Sequence, residues 1–271
     1  MTYRYIDVHC HPQLRQYKDD QNEVIERMAE EGVAGIVVGV DKVSSEEAVL
    51  LATKYEHLWA SIGLHPNDTP HEDFSSEQYA SLIKNPKVVA IGECGLDFYR
   101  ILPDVDVVKE KERQWRVFTS QVAFATANDL PLMIHCRPSQ GSMDAYEDIL
   151  SYLESYKKEH LSLSGNIHFF VGTLAIAERF WSIGFSTSLT GVITFTNDYD
   201  DVVKGAPLSM LLSETDAPYV APVPHRGKRN EPVYVRHVVE KIAELRGISE
   251  DEVATTLLKN AERVFKIEGL V

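Results

Sequence analysis

Two histidines, His9 and His11, stand two residues apart just after the apolar run Tyr5–Val8. Side chains on an extended chain return to the same face every second residue, so the pair offers two imidazoles in one direction. That is a two-toothed clamp for a metal ion, with a pair of turn or surface histidines as the plain alternative. The same layout recurs further along the chain. Glu93 follows Val88–Gly92, His135 closes Leu132-Met133-Ile134, His168 follows Ile167, and Asp216 ends the stretch that begins at Met210. A carboxylate that ends a buried strand is unfavourable unless it meets a cation. An ordinary hydrogen bond would account for any one of these residues. Together, His9, His11, Glu93, His135, His168 and Asp216 fit coincidence poorly. Imidazole with carboxylate suits Zn²⁺, Mn²⁺ or Fe, while carboxylate with water suits Mg²⁺. Six ligands exceed what one zinc ion takes, which points to two divalent ions with Mg, Mn and Zn as candidates.

These residues must be carried to one place. Eight short apolar runs recur along the chain: Tyr5–Val8, Ile36–Val40, Leu58–Leu64, Val88–Ile91, Pro131–Ile134, Ile167–Val171, Gly184–Phe195 and Met210–Leu212. Their spacing averages about 30 residues, the length of a strand–helix–strand unit. Amphipathic stripes lie between them. One is Trp115, Phe118, Val122 and Ala125; another is Val235, Val238, Val239, Ile242 and Ala243, stopped by Gly247. Ser249, with Glu252 three residues on, opens a last helix. This alternation predicts an α/β chain folded as a (β/α)₈ TIM barrel with a closed parallel sheet, a single domain over residues 1–271. An open doubly wound sheet is the competitor. The barrel is favoured because it alone converges so many strand ends on one mouth.

The flanking glycines of Glu93, Gly92 and Gly95, allow a bend or a close backbone approach. Cys10, Cys94 and Cys136 each lie one residue out of phase with a proposed ligand, so they are expected to be buried structural thiols, neither ligands nor nucleophiles. His57, His71, His160 and His237 fall in helical or loop text and are expected at the surface. Three widely spaced cysteines make a disulfide framework improbable. No run approaches the ~20 apolar residues of a membrane span, and the start of the chain lacks a signal-peptide layout, so a cytoplasmic protein without a membrane partner is expected. The formal charge of −14 argues against a broad DNA-docking face and requires any nucleic acid to be drawn in locally at the site.

The chain resembles the TatD family of metal-dependent deoxyribonucleases, within the amidohydrolase-like barrels. The likeness rests on Asp7-Val8-His9-Cys10-His11, Gly63-Leu64-His65-Pro66, Ile91-Gly92-Glu93-Cys94-Gly95-Leu96-Asp97-Phe98-Tyr99, Pro131 through Arg137, Ile167-His168-Phe169, Leu212 through Pro218 and Ala221 through Pro232, in order from Ile6 to Phe265. The resemblance implies that His9, His11, Glu93 and Asp216 hold one metal and that Glu93, His135 and His168 hold the other, with Glu93 bridging. It also implies phosphodiester hydrolysis of DNA, including trimming at 3′ ends, so single strands or 3′ ends are the expected partner. Four positions depart from the family pattern: Pro12, the run Phe169-Phe170-Val171-Gly172 after His168, Asn67, and Pro138-Ser139-Gln140. None removes a ligand; Asn67 and the last run lie near the expected mouth and bear on substrate preference.

Catalytic roles are expected for Asp216 as general base, for Glu93, and for Glu214, which shares a strand face with Asp216 and is read as an outer support or a contact to the reacting water. Arg137, two residues past His135, is expected to grip phosphate. His65 either contacts phosphate, or protonates the leaving oxygen, or merely fixes a loop. Asp97 either supports a ligand or caps the following loop. Arg226, in the locally basic stretch His225–Arg229, is expected to touch the phosphate chain, unless that stretch is neutralised by nearby acids. Two other functions remain: hydrolysis of an amide, lactone or small phosphoester by the same metal centre, and metal or nucleic-acid binding without catalysis. The end of the fourth strand carries no lysine; Glu93 stands there instead, which favours the nuclease branch.

Overall fold

The computed structural model describes residues 3–67, 73–102 and 104–271. Strands and helices alternate: β1 (Tyr5–Cys10), α1 (Gln21–Glu30), β2 (Val33–Val38), α2 (Lys42–Lys54), β3 (Leu58–Ile62), α3 (Ser76–Tyr79), β4 (Val88–Asp97), α4 (Val107–Ala127), β5 (Leu132–Arg137), α5 (Asp144–Tyr156), β6 (Gly165–Ile167), α6 (Leu174–Ser182), β7 (Phe185–Leu189), α7 (Asp200–Gly205), β8 (Leu211–Ser213), α8 (Val235–Arg246) and α9 (Glu250–Phe265). Each strand pairs in parallel with the next, in the order β1 to β8. All eight expected strands are present. No helix among the described residues is long and apolar enough to cross a membrane.

The sheet closes sparingly. Between β8 and β1 the backbone forms one bridge, Cys10 to Ala217. The Asp216 amide donates to the His9 carbonyl at 2.9 Å, and the His11 amide to the Ala217 carbonyl at 2.8 Å. Lower in the seam, side chains replace the ladder. Asp7 accepts from the Thr215 amide at 2.9 Å and from the Thr215 hydroxyl, and Ser213 Oγ donates to the Ile6 carbonyl at 3.0 Å.

Two apolar clusters divide along the pleat. Val33 and Val37 of β2 belong to the layer between barrel and helices, which also holds Leu58, Ala60, Ile62 and Ile134. Ala34, Ile36 and Val38 alternate with them and join Ile6, Val8, Ala90, Met133 and Leu212, the barrel interior, where they meet Leu258, Ala261, Val264 and Phe265 of α9. The last helix thus closes the end of the barrel opposite the carboxyl ends of the strands. Its Ser249 caps it by accepting from the Glu252 amide at 3.2 Å. The buried stripe of α8 is Val235, Val238, Val239, Ile242 and Ala243, and Gly247 ends it at φ 66°, the left-handed cap that glycine favours.

Two strands are shorter than the apolar text suggests. The run Gly184–Phe195 is strand only to Leu189; Thr190 then caps a short 3₁₀ turn, Gly191–Thr194. The run Ile167–Val171 leaves the sheet after Ile167, because Phe169 takes φ 47°. β1 carries an irregularity between Asp7 and Cys10. Val8 therefore faces the interior while the next residue, His9, also faces inward at the mouth.

Candidate metal centre

The six ligand-type side chains meet at the carboxyl ends of β1, β4, β5, β6 and β8. Glu93 lies at the centre and divides its two oxygens. Oε1 is 2.8 Å from His168 Nε2 and 2.9 Å from His135 Nδ1; Oε2 is 3.4 Å from His9 Nε2 and 3.9 Å from His11 Nε2. Asp216 Oδ1 approaches the second pair, 3.4 Å from His11 Nε2 and 3.9 Å from His9 Nε2. Two donor atoms on one tetrahedral ion with bonds near 2.0–2.1 Å lie about 3.4 Å apart, the separation of His9 Nε2 from Glu93 Oε2 and of His11 Nε2 from Asp216 Oδ1. His9 with His11 and Glu93, and His9 with His168 and Asp216, each form a group able to hold an ion.

The backbone of β4 makes this possible. A Cβ at Gly92 would lie 2.2 Å from the Met133 carbonyl oxygen, and one at Gly95 would lie 1.9 Å from that of His135. Only glycine lets β4 press against β5 on both sides of Glu93. Asp216 sits at φ 54°, a conformation uncommon for a residue with a side chain.

Each imidazole is aimed from behind. His11 Nδ1 donates to the Val38 carbonyl at 2.7 Å, which leaves Nε2 to coordinate. His135 turns Nε2 to Asp97 at 3.3 Å and Nδ1 to Glu93. Asp97 also accepts from the Tyr99 and Arg100 amides at 3.0 and 2.9 Å, so it serves both of its expected roles. His168 turns Nδ1 to Glu214 at 3.2 Å. This is how metal-ligating histidines are held: the second nitrogen is fixed by a carbonyl or carboxylate. His9 Nδ1 is the exception, buried with no hydrogen-bond partner among the described residues.

The charges suit a cation. Burial alone would raise the Glu93 carboxyl, but His168, His65 and His9 around it hold it well below the usual range. Burial works against protonation of His168, yet Glu93 and Glu214 push it well above its ordinary value. His135 is likewise raised against burial, by Asp97 and Glu93. His9 goes the other way, lowered by burial and by His168. Burial also opposes the ionisation of Asp216, and His11 overrides it. Carboxylates packed this closely demand positive charge, and a divalent ion would displace the imidazole protons in providing it.

Glu214 is fully buried and does not line the cavity. It accepts from the Phe169 amide at 2.8 Å and from the Ser188 hydroxyl; Asn166 Nδ2 donates to that hydroxyl at 2.7 Å. Sequence reasoning did not single out Ser188 or Asn166, whose spacing from His168 carries no signal until β6, β7 and β8 are paired. Ser188→Ala is expected to weaken metal affinity about 10-fold through a loosened His168. Calorimetric titration with Zn²⁺ or Mn²⁺ checks this, with circular dichroism confirming the fold. Unchanged affinity would show that the chain of bonds behind His168 does not set its aim.

A cavity of about 740 Å³ opens above the cluster, lined in part by His11, His65, Glu93, His135, His168 and Asp216. Arg137 and Arg100 line it as well; Arg100 was not foreseen. The Arg137 guanidinium rests on the Tyr99 ring, 4.2 Å from its centre. His65 Nδ1 accepts from the Asn67 amide at 3.3 Å, so Nε2, 3.6 Å from Glu93, carries the proton that faces the site. Arg226 is not brought to the cavity. It lies over the Phe195 ring, 3.8 Å from its centre, and donates to the Ala221 carbonyl at 2.9 Å. Nearby Arg229 is tied to Asp20 and Glu231, so acids do neutralise part of this basic stretch.

The three thiols are free and buried, with burial pushing each upward. Cys10 donates to the Ile36 carbonyl, while Cys94 and Cys136 pack in the outer layer; Cys136 also borders the cavity wall. His57 is a correction. It is 3% exposed, enclosed where α2 returns to β3 beside Tyr55. His160 stacks on Tyr156, and His237 pairs with Glu240, both partly exposed. His71 lies outside the described residues.

Residues 6–266 match the family described as TatD related DNase. The chain is 39% identical to YabD of Bacillus subtilis, a metal-dependent hydrolase, over 96% of this chain and 98% of that protein. It is 32% identical to the 3′-5′ ssDNA/RNA exonuclease TatD of Pectobacterium carotovorum, covering 93% of this chain and 95% of that one. The crystal structure of YjjV, a TatD homologue from Escherichia coli, superposes with a TM-score of 0.87 at 32% identity, over 98% of this chain and all of that one.

Proposed function

The chain belongs to the TatD related DNase family and is a metal-dependent hydrolase, and from that premise we propose that it cleaves phosphodiester bonds at the 3′ ends of single-stranded DNA using two divalent ions. The observation that carries the phosphodiester reading is the pair of arginines at the mouth. In a chain of net charge −14, Arg137 and Arg100 stand on the cavity wall beside a cation centre. The Arg137 guanidinium lies on an aromatic face and pairs with no carboxylate among the described residues, while Arg100 Nε stands 3.8 Å from Asp97. An amide or lactone has no use for such a fork, whereas a phosphate accepts it bidentately. The exonuclease name of the Pectobacterium relative supports the same substrate.

The division of Glu93 between two histidine pairs supports two ions, one held by His9, His11, Glu93 and Asp216 and the other by Glu93, His135 and His168. The chemistry such ions supply when bound is activation of water and neutralisation of charge at phosphorus. The protein's own groups do the rest. Asp216, held ionised by His11, accepts the proton of the attacking water. His65 offers its Nε2 proton to the leaving oxygen. Arg137 fixes a phosphate oxygen, and Glu214 with Ser188 keeps His168 in register. A cavity of about 740 Å³ has the volume of a small-molecule site, which favours a single strand or a frayed end.

The test is hydrolysis of a 5′-labelled oligodeoxynucleotide by metal-loaded protein. Successive shortening from the 3′ end is expected, abolished by a chelator and restored by Mg²⁺, Mn²⁺ or Zn²⁺. Turnover of a lactone or amide panel with no action on any oligonucleotide would instead establish an amidohydrolase reaction at the same centre.

A further inference from the structure

The walls of the cavity differ in chemistry across the barrel. Arg100, Arg137 and Phe169 stand at the ends of β4, β5 and β6, on one arc of the mouth. Leu14, Tyr219 and Val220 follow β1 and β8, which adjoin at the seam and lie on the opposite arc. The first arc carries two arginines beside the Phe169 ring, and Leu14, Tyr219 and Val220 on the second are uncharged, with the candidate ligand cluster between them.

Tyr219 is three residues beyond Asp216. Its side is 48% exposed, yet its backbone is held fast. The Tyr219 amide donates to the Asp216 carbonyl at 2.9 Å. The Tyr219 carbonyl accepts from Nδ2 of Asn230 at 2.6 Å, and the same amide group donates to the Thr215 carbonyl at 3.0 Å. The Asn230 backbone amide donates to the Pro218 carbonyl at 3.1 Å. Asn230 itself is fully buried, and its carbonyl accepts from the Tyr17 hydroxyl. Val220 is left at φ 49°. A loop tied this thoroughly to a ligand strand presents a half-exposed ring at a set position beside the reacting centre. Its hydroxyl accepts from Gln16 Nε2 at 3.5 Å, which helps to hold the ring at the rim of the cavity.

We propose that Tyr219, flanked by Leu14 and Val220, is the stacking wall for the base of the terminal nucleotide, whose adjoining phosphate is gripped by Arg137 on the opposite arc. The proposal rests on the phosphodiester reading above. Charge complementarity selects this occupant: a nucleotide is an anion joined to a flat apolar ring, and the cavity offers cations on one side and a flat ring on the other. Every base has a π face, so such a wall accepts all four bases and requires only that a base be present.

The experiment compares two 5′-labelled oligodeoxynucleotides that differ only at the 3′ terminus, one ending in a thymidine and one in an abasic tetrahydrofuran nucleotide. Cleavage is followed with metal-loaded protein, and equilibrium binding by fluorescence anisotropy with chelator present. For the wild-type protein, kcat/KM is expected to favour the base-bearing end about 10-fold, mainly through KM. Y219F retains that ratio, and Y219L brings it close to one, with melting temperatures confirming that both variants fold. The stacking wall is overturned if wild-type protein cleaves both ends equally well, a result that needs no variant, or if the ratio survives in Y219L. If wild-type protein neither binds nor cleaves either oligonucleotide, the phosphodiester reading falls and this subsite falls with it, a result plainly different from cleavage without base dependence.

Discussion

Glu93→Gln is expected to lower oligonucleotide turnover by roughly 10³-fold or more, and to lower the bound metal by at least one ion per chain. Altering a group behind a ligand already lowers affinity or activity by about 10–100-fold; in the two-ion arrangement proposed above, Glu93 would touch both ions. Its two oxygens face different histidine pairs, Oε1 toward His135 and His168 and Oε2 toward His9 and His11. Glutamine keeps the shape but replaces one oxygen by an amide nitrogen, which donates protons and cannot coordinate. Whichever way the amide turns, one pair loses its carboxylate. The variant should still fold, because the glycines that bring β4 against β5 are untouched. Two measurements check this together with turnover: elemental analysis of metal per chain, and the rise in melting temperature on adding metal, which follows from binding to the folded state alone. A variant with full metal content and full activity would remove Glu93 from the bridging position.

Much of this site can be read in the chain because its ligands are local punctuation. Each lies in an apolar run or within four residues of its end, and parallel strands in a barrel all end at one mouth, so the position of His135 or Asp216 in the text already gives its approximate position in space. The stripes of α4 and α8 are equally local, since period and cap lie within a dozen residues. What escaped notice is what depends on partners far apart. Ser188 matters only because β7 lies between β6 and β8, which brings its hydroxyl to Glu214, 26 residues on. Asn230 is one polar residue in a loop until the fold places it under Tyr219. The basic look of His225–Arg229 misled for the same reason. Its charges are answered by Asp20, 209 residues away in sequence from Arg229, and by the face of Phe195. His57 was expected at the surface because it falls in helical or loop text, yet the return from α2 to β3 encloses it. The strand boundaries of β6 and β7 failed where an apolar run continues past the point at which the backbone turns, a change that hydrophobicity does not record.

The same logic of distant partners identifies Asp7 as a polar residue whose loss should reduce stability. Asp7→Ala is expected to lower stability by about 2–3 kcal/mol, a fall in melting temperature on the order of 5 °C for a chain of this size. The side chain is fully buried at the seam, where β1 and β8 share a single backbone bridge. It accepts from the Thr215 amide at 2.9 Å, from the Thr215 hydroxyl, and from the His9 amide at 3.2 Å. Alanine leaves these donors buried without an acceptor, at about 1–3 kcal/mol for each group left unsatisfied. Asp7→Asn should be far milder, because its amide oxygen still receives the Thr215 amide and the Thr215 hydroxyl can turn to accept from its nitrogen. Thermal and urea unfolding of both variants in the presence of chelator checks the contrast free of any stabilisation by metal. The consequence extends to the candidate site, since Asp7 holds the amide of one proposed ligand, His9, and the residue next to another, Asp216. Metal affinity should therefore fall in Asp7→Ala by more than in Asp7→Asn. Equal stability and equal metal affinity in the two variants would mean that the barrel closes at this seam without its carboxylate stitch.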